Sequence, residues 1–376
     1  MVSSRESLIG IDIVRFACAI SVMSFHYCTT AWLGPSQEAA RLLADASRPD
    51  PGLVAAARFN WIGVQIFFTI SGCVIARSMV SSRGLSFLRK RLLRLLPAAW
   101  ICSTATLITL AAAGTDQGDL LLRWARSLVL WPLGRQIDPS YWTLSIELCF
   151  YLVVAVLVGG TASRGIESVA NTLLLWSAAF WAAWFSAEPI CRSMGIIPES
   201  NLMLVPYGCF FALGIYIDDI QSRGFTPLGA TKIGLALLIC GIQVSWKANE
   251  LAPIFSLPAS PLIPLGMFLG SAALLIASEK IQPFLMRVVR ADFARRVGLA
   301  TYPLYLLHQL VGIVSISVFT TLCVSTEVSI LLTSIAAIAV AWFIGTVLEP
   351  PVRCALDNFL ARLDAMVRLR RRAEYS

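Results

Sequence analysis

Residues 8–30 read LIGIDIVRFACAISVMSFHYCTT, a run apolar enough to cross a bilayer that nevertheless carries Asp12, Arg15 and His26. Read as a helix, it turns about 100° per residue, so Arg15 and His26 fall within about 20° of one face. The rise between them is roughly 16 Å. Charged and titratable side chains on a membrane helix are costly, and they commonly face a cavity or a partner. The alternative is that Arg15 snorkels to the interface beside Asp12 while His26 reaches the outer headgroup region.

The rest of the chain shares this character. Of its 376 residues 57% are hydrophobic and only 14% charged, with a mean hydropathy of +0.74. A soluble protein of this length does not have that balance, so an all-α polytopic membrane bundle is expected. Apolar runs suggest about ten transmembrane helices, near 8–30, 60–80, 97–114, 143–160, 168–187, 202–220, 231–247, 262–279, 298–320 and 328–348. The pattern is weakest at 231–279, where Pro253, Pro258, Pro261 and Pro264 interrupt it. Trp32, Trp61, Trp100, Trp131, Trp142 and Trp246 fall near expected span ends, as an aromatic belt would place them. The connection at 115–141 is long enough for short helices of its own. The cysteines show no metal-like spacing and read as small buried apolar residues, so no metal is expected.

Charge then sets the orientation. Of the 30 Lys and Arg, 21 fall on the segments sharing the N-terminal side and 8 on the other, with Arg15 inside a span. This asymmetry puts both termini in the cytoplasm and accounts for the net charge of +8 without nucleic acid. Residues 353–376 form a basic amphipathic cytoplasmic tail, expected to lie on the inner leaflet beyond a transmembrane domain of residues 1–352.

Within the spans, a few polar groups ask for a chemical role. The two histidines, His26 and His308, both sit in apolar helices, and histidine is the side chain best suited to act as a base near neutral pH. His308 could instead bond Tyr302, Tyr305 or Gln309 between helices. Glu147 lies inside a span and needs a partner such as Arg15 or a histidine. Gly63, Ser71 and Gly72 in GVQIFFTISG (63–72) allow close helix packing. Arg83, Arg89, Lys90, Arg91 and Arg94 crowd the segment SSRGLSFLRKRLLRLLP (81–97), dense enough to hold anionic lipid or a polyphosphate. No phosphate-binding glycine motif accompanies them.

The chain resembles the acyltransferase-3 membrane proteins, which O-acylate bacterial surface and exported glycans. The resemblance rests on IDIVRFACAISVMSFH (11–26), with ten residues between Arg and His, GVQIFFTISG (63–72), FLRKRLLRLLPAAW (87–100), YWTLSIELCFYL (141–152) and TYPLYLLHQ (301–309). LEPP (348–351) looks like the family's terminal Glu-Pro motif. The resemblance implies a bacterial inner-membrane enzyme with an acyl-CoA donor, acetyl-CoA by default, and a glycan or glycolipid acceptor. It implies functional roles for Arg15 and His26, with Glu147 and His308 beside them, and for Ser71, Arg89, Arg91 and Arg94, with Lys90 in the same basic loop. A transporter of a glycan or lipid-linked substrate would also explain intramembrane charge and proline-broken helices, but it predicts an internal repeat, which the sequence lacks.

Overall fold

The computed structural model describes residues 9–34, 36–79, 84–115, 118–158, 162–193, 204–254 and 260–374. Arg5, Arg83 and Pro258 lie outside them, as do the side chains of Arg164, Cys191 and Arg192. The long helices are α1 (Ile9–Phe25), α2 (Gly63–Ser78), α3 (Gly84–Ala112), α4 (Leu120–Leu128), α5 (Trp142–Leu157) and α6 (Ala162–Ser193). They continue as α7 (Gly208–Arg223), α8 (Pro227–Leu251), α9 (Leu262–Val288), α10 (Ala291–Thr321), α11 (Thr326–Phe343) and α12 (Glu349–Glu374). No strand occurs among the described residues, and nine helices there are long and apolar enough to cross a membrane.

The sixth expected span, 202–220, is not among these nine; it corresponds to α7, a helix of only 16 residues. Its length is explained by its surroundings, since every residue from Gly208 to Asp218 is buried. It meets α2 backbone to backbone: a Cβ on Gly72 would overlap the carbonyl of Phe211, and one on Gly214 the carbonyl of Thr69. A Cβ on Gly63 would likewise press on the Cys18 carbonyl of α1, at 2.9 Å. Small residues here substitute for the hydrophobic drive that lipid does not supply.

The weak pattern at 231–279 resolves into α8 and α9, with Pro253 and Pro261 in the connection and Pro264 in the first turn of α9. The last span does not stop before the tail, because α11 runs through a π-helical turn at Ile344–Leu348 straight into α12. One end of the bundle is tied by Arg77 of α2, which pairs with Asp218 of α7 (2.7 Å) and Glu279 of α9 (3.1 Å).

The tryptophans expected near span ends divide. Trp131 and Trp142 are exposed, Trp61 is buried, Trp246 meets Trp181 tilted and Trp184 edge-on, and Trp32 and Trp100 donate their indole N–H groups to Tyr27 and Leu128 carbonyls. The last four also pack helices together or satisfy backbone groups. Of the described cysteines, six are buried, Cys149 is half-buried, and Cys323 and Cys354 are exposed.

Candidate active site

α1 and α10 pack side by side and carry the two histidines into contact. At His26 the α1 helix widens into a π-helical turn, His26–Thr30, a local departure that recurs at functional sites. The ring centroids of His26 and His308 lie 5.1 Å apart, with His308 fully buried and His26 half-buried. Pro303 sits within α10 five residues before His308, where its missing N–H releases the carbonyl of Leu299 from the helix ladder.

A hydrogen bond to a carbonyl defines the His308 tautomer. His308 Nδ1 is 2.8 Å from the Tyr305 carbonyl, which can only accept, so Nδ1 carries the proton. Its Nε2 is then a lone pair, buried without a hydrogen-bond partner among the described residues. His26 Nδ1 is hydrogen-bonded to Thr30 Oγ1 at 2.9 Å. The tautomer in which Nδ1 donates to Thr30 leaves Nε2 of His26 as the basic nitrogen. The Tyr27 hydroxyl, buried beside His308, is unpartnered as well.

Asp138, which the sequence reading passed over, supports this end. It is fully buried and accepts from the Ser140 N–H (2.8 Å), the Ser140 hydroxyl (2.6 Å) and the N–H of Leu310 in α10 (2.9 Å). Burial pushes its carboxyl above the ordinary range, although the Ser140 and Leu310 hydrogen bonds pull the other way. The signal available in sequence was the Asp-Pro-Ser order at 138–140, a helix N-cap followed by proline at N1. The loop before it is held by Arg123 of α4, which forks onto Glu38 (2.7 and 3.1 Å) and donates to the Gln136 and Ile137 carbonyls. Burial works against the Arg123 charge, but Glu38 more than offsets it and holds Arg123 above its usual range.

Glu147 stands apart from the histidines. It accepts from Ser71 (2.6 Å) and from Tyr151, and neither bond involves an imidazole. A cleft lined by Phe67, Phe68, Ser71, Thr143, Tyr302 and Tyr305 leads past it. Tyr305 closes the link, since its ring lies 5.6 Å from His308 and its hydroxyl 3.0 Å from that of Thr143. Ser71 is held by a carboxylate and has no histidine beside it.

Toward the other end, the charged groups close enough to act on Arg15 are Arg94, Glu147 and Asp12. No salt bridge joins Arg15 to Asp12; Asp12 packs on Gly298 of α10 instead. Arg91 lies over the rings of Phe87 and Tyr151, and Arg94 is half-buried near Glu349. Glu349 is itself buried and paired with Arg353. The other two basic residues of this stretch point elsewhere. Arg89 pairs with Asp357 of α12 at 2.7 Å, and Lys90 is exposed. The cluster therefore divides, with Arg15, Arg91 and Arg94 inward and Arg89 and Lys90 outward. No group of His, Cys, Asp and Glu that could hold a metal occurs among the described residues.

The model of one protein family, described as an acyltransferase domain, matches residues 8–346, nearly the whole chain. No curated protein and no solved structure matches it.

Proposed function

The chain belongs to the acyltransferase-3 family and is a multi-pass membrane acyltransferase, and from that premise we propose that it carries an acyl group, acetyl by default, from acyl-CoA to a hydroxyl of a cell-envelope or exported glycan. The observation that supports this reading is the cleft past Ser71, Glu147 and Tyr305, with the Tyr305 ring 5.6 Å from His308 and Glu147 close enough to act on Arg15. Arg91, Arg94 and Arg15 hold the donor's phosphates and the head of its pantetheine arm, through charge-assisted bonds that carboxylates do not already saturate. At the far end, His26 Nε2 takes the proton from the acceptor hydroxyl as its oxygen attacks the thioester carbonyl. The carbon–sulfur bond breaks, and the CoA thiolate leaves and recovers that proton. His308 Nε2 and the Tyr27 hydroxyl orient the acceptor, and Glu147 fixes Ser71 and Tyr151 along the cleft.

In this reading residues 1–352 are the acyltransferase domain, 353–376 the basic tail, and both termini face the cytoplasm of a bacterial inner membrane. Two native cysteines test that orientation. Cys323 is exposed in the turn between α10 and α11, and Cys354 is exposed in α12. An impermeant maleimide should label Cys323 in intact cells and reach Cys354 only after lysis. The reverse pattern would turn the donor side outward.

The division of the basic stretch gives a sharper test. Arg91→Gln with Arg94→Gln should weaken acyl-CoA binding by about tenfold or more and flatten its salt dependence. Arg89→Gln with Lys90→Gln should leave binding near wild type. Equal losses in both pairs would make the segment a diffuse charge, and no loss in either would remove the donor from this end.

A further inference from the structure

A second group of arginines lies where α10 begins. Arg290, Arg295 and Arg296 line two adjoining hollows between the start of α10 and the end of α11, with Asp292, Trp342 and Thr346. Gly345 floors the first hollow, seated so close that a Cβ there would stand 2.7 Å from the Leu299 carbonyl. Elsewhere in the protein Arg77, Arg89, Arg123 and Arg353 are each paired with a carboxylate. None of the three arginines here has a salt bridge among the described residues, and Asp292 is the one acidic group facing them.

The level and outlook of the hollow define its ligand. Gly298, one turn above Arg295, packs on Asp12, so the hollow lies at the same end of the bundle as Arg15 and Arg94. Arg296 is about 160° around the helix from Gly298 and faces away from α1. Val288 and Phe293, which line the second hollow, are both more than half exposed and give it an apolar rim of the kind lipid chains cover. Free guanidinium groups beneath such a surface suit a phosphodiester headgroup, which takes two parallel N–H bonds from arginine while its chains lie along the apolar rim. A soluble polyphosphate would leave that rim unused.

We propose that this hollow is a headgroup site for an anionic phospholipid, its phosphate held by Arg295 and Arg296 with Arg290 at the rim. The test compares full-length protein in nanodiscs of phosphatidylcholine with and without phosphatidylglycerol, reading lipid retention by native mass spectrometry. Wild type should retain phosphatidylglycerol over phosphatidylcholine, and Arg290→Gln/Arg295→Gln/Arg296→Gln should lose about tenfold or more of that preference. A control of equal charge change at exposed sites off the hollow, Lys280→Gln/Arg287→Gln/Arg362→Gln, should keep it. Equal loss in both variants, or none in the first, would overturn the site. So would loss of CoA binding in neutral lipid with retention unchanged, which would assign the hollow to a soluble phosphate. Melting in pure phosphatidylcholine checks folding, and Arg296→Gln alone is read the same way if the triple variant does not fold.

Discussion

His26→Ala is expected to cut acyl transfer by about 10²–10⁴ while the protein accumulates normally and still binds donor. The helix loses nothing by the change, because alanine is the better helix former and the span becomes more apolar. What disappears is the ring held by Thr30 at Nδ1, whose Nε2 is the base of the proposed step. Donor binding should survive because Arg15, Arg91 and Arg94 are untouched and lie toward the other end. Transfer assayed at equal protein level, alongside acyl-CoA titration, separates the two steps. If His26→Ala transfers at a near-normal rate, the base is not His26, and His308, whose Nε2 is also free, takes its place.

Arg123→Ala should produce the largest loss of stability, on the order of 3–5 kcal/mol. The guanidinium is almost wholly buried (3% exposed), and its removal leaves Glu38, only 16% exposed, without a counter-charge. It also strips the Gln136 and Ile137 carbonyls of their donor, and the loop they belong to delivers Asp138 to the backbone of Leu310. Thermal melting in detergent should show the loss, and Glu38→Gln/Arg123→Met should recover much of it by removing both charges together. A wild-type melting curve for Arg123→Ala would mean the fork onto Glu38 contributes nothing.

The spans and the family were legible in the sequence because hydropathy and motif order are local properties. The division of the basic stretch was legible only for Arg89, which lies well around the helix from Arg91 and Arg94; Lys90 is one turn from Arg94 and by spacing would share its face. The meeting of His26 and His308 was not, because their separation in sequence says nothing about which helices pack. Asp138 escaped for a related reason: it lies between spans, and its bond to the Leu310 N–H depends on how that loop packs against α10. Glu147 looked in need of a charged partner, and hydroxyls from Ser71 and Tyr151 met that need. The π-helical turn at His26 has no signature in HYCTT.

The contact between Gly72 and Gly214 has a mechanical consequence. Two helices separated by side chains can shift as rotamers rearrange, but here backbone rests on backbone with nothing between to yield. Sliding by one residue, about 1.5 Å along the axis, would drive the side chains flanking these glycines into the opposing carbonyls. α2 and α7 therefore move as one body, and Ser71, beside Gly72, is carried on a fixed strut. Whatever opens to admit donor or acceptor must do so by displacement of other helices against that pair.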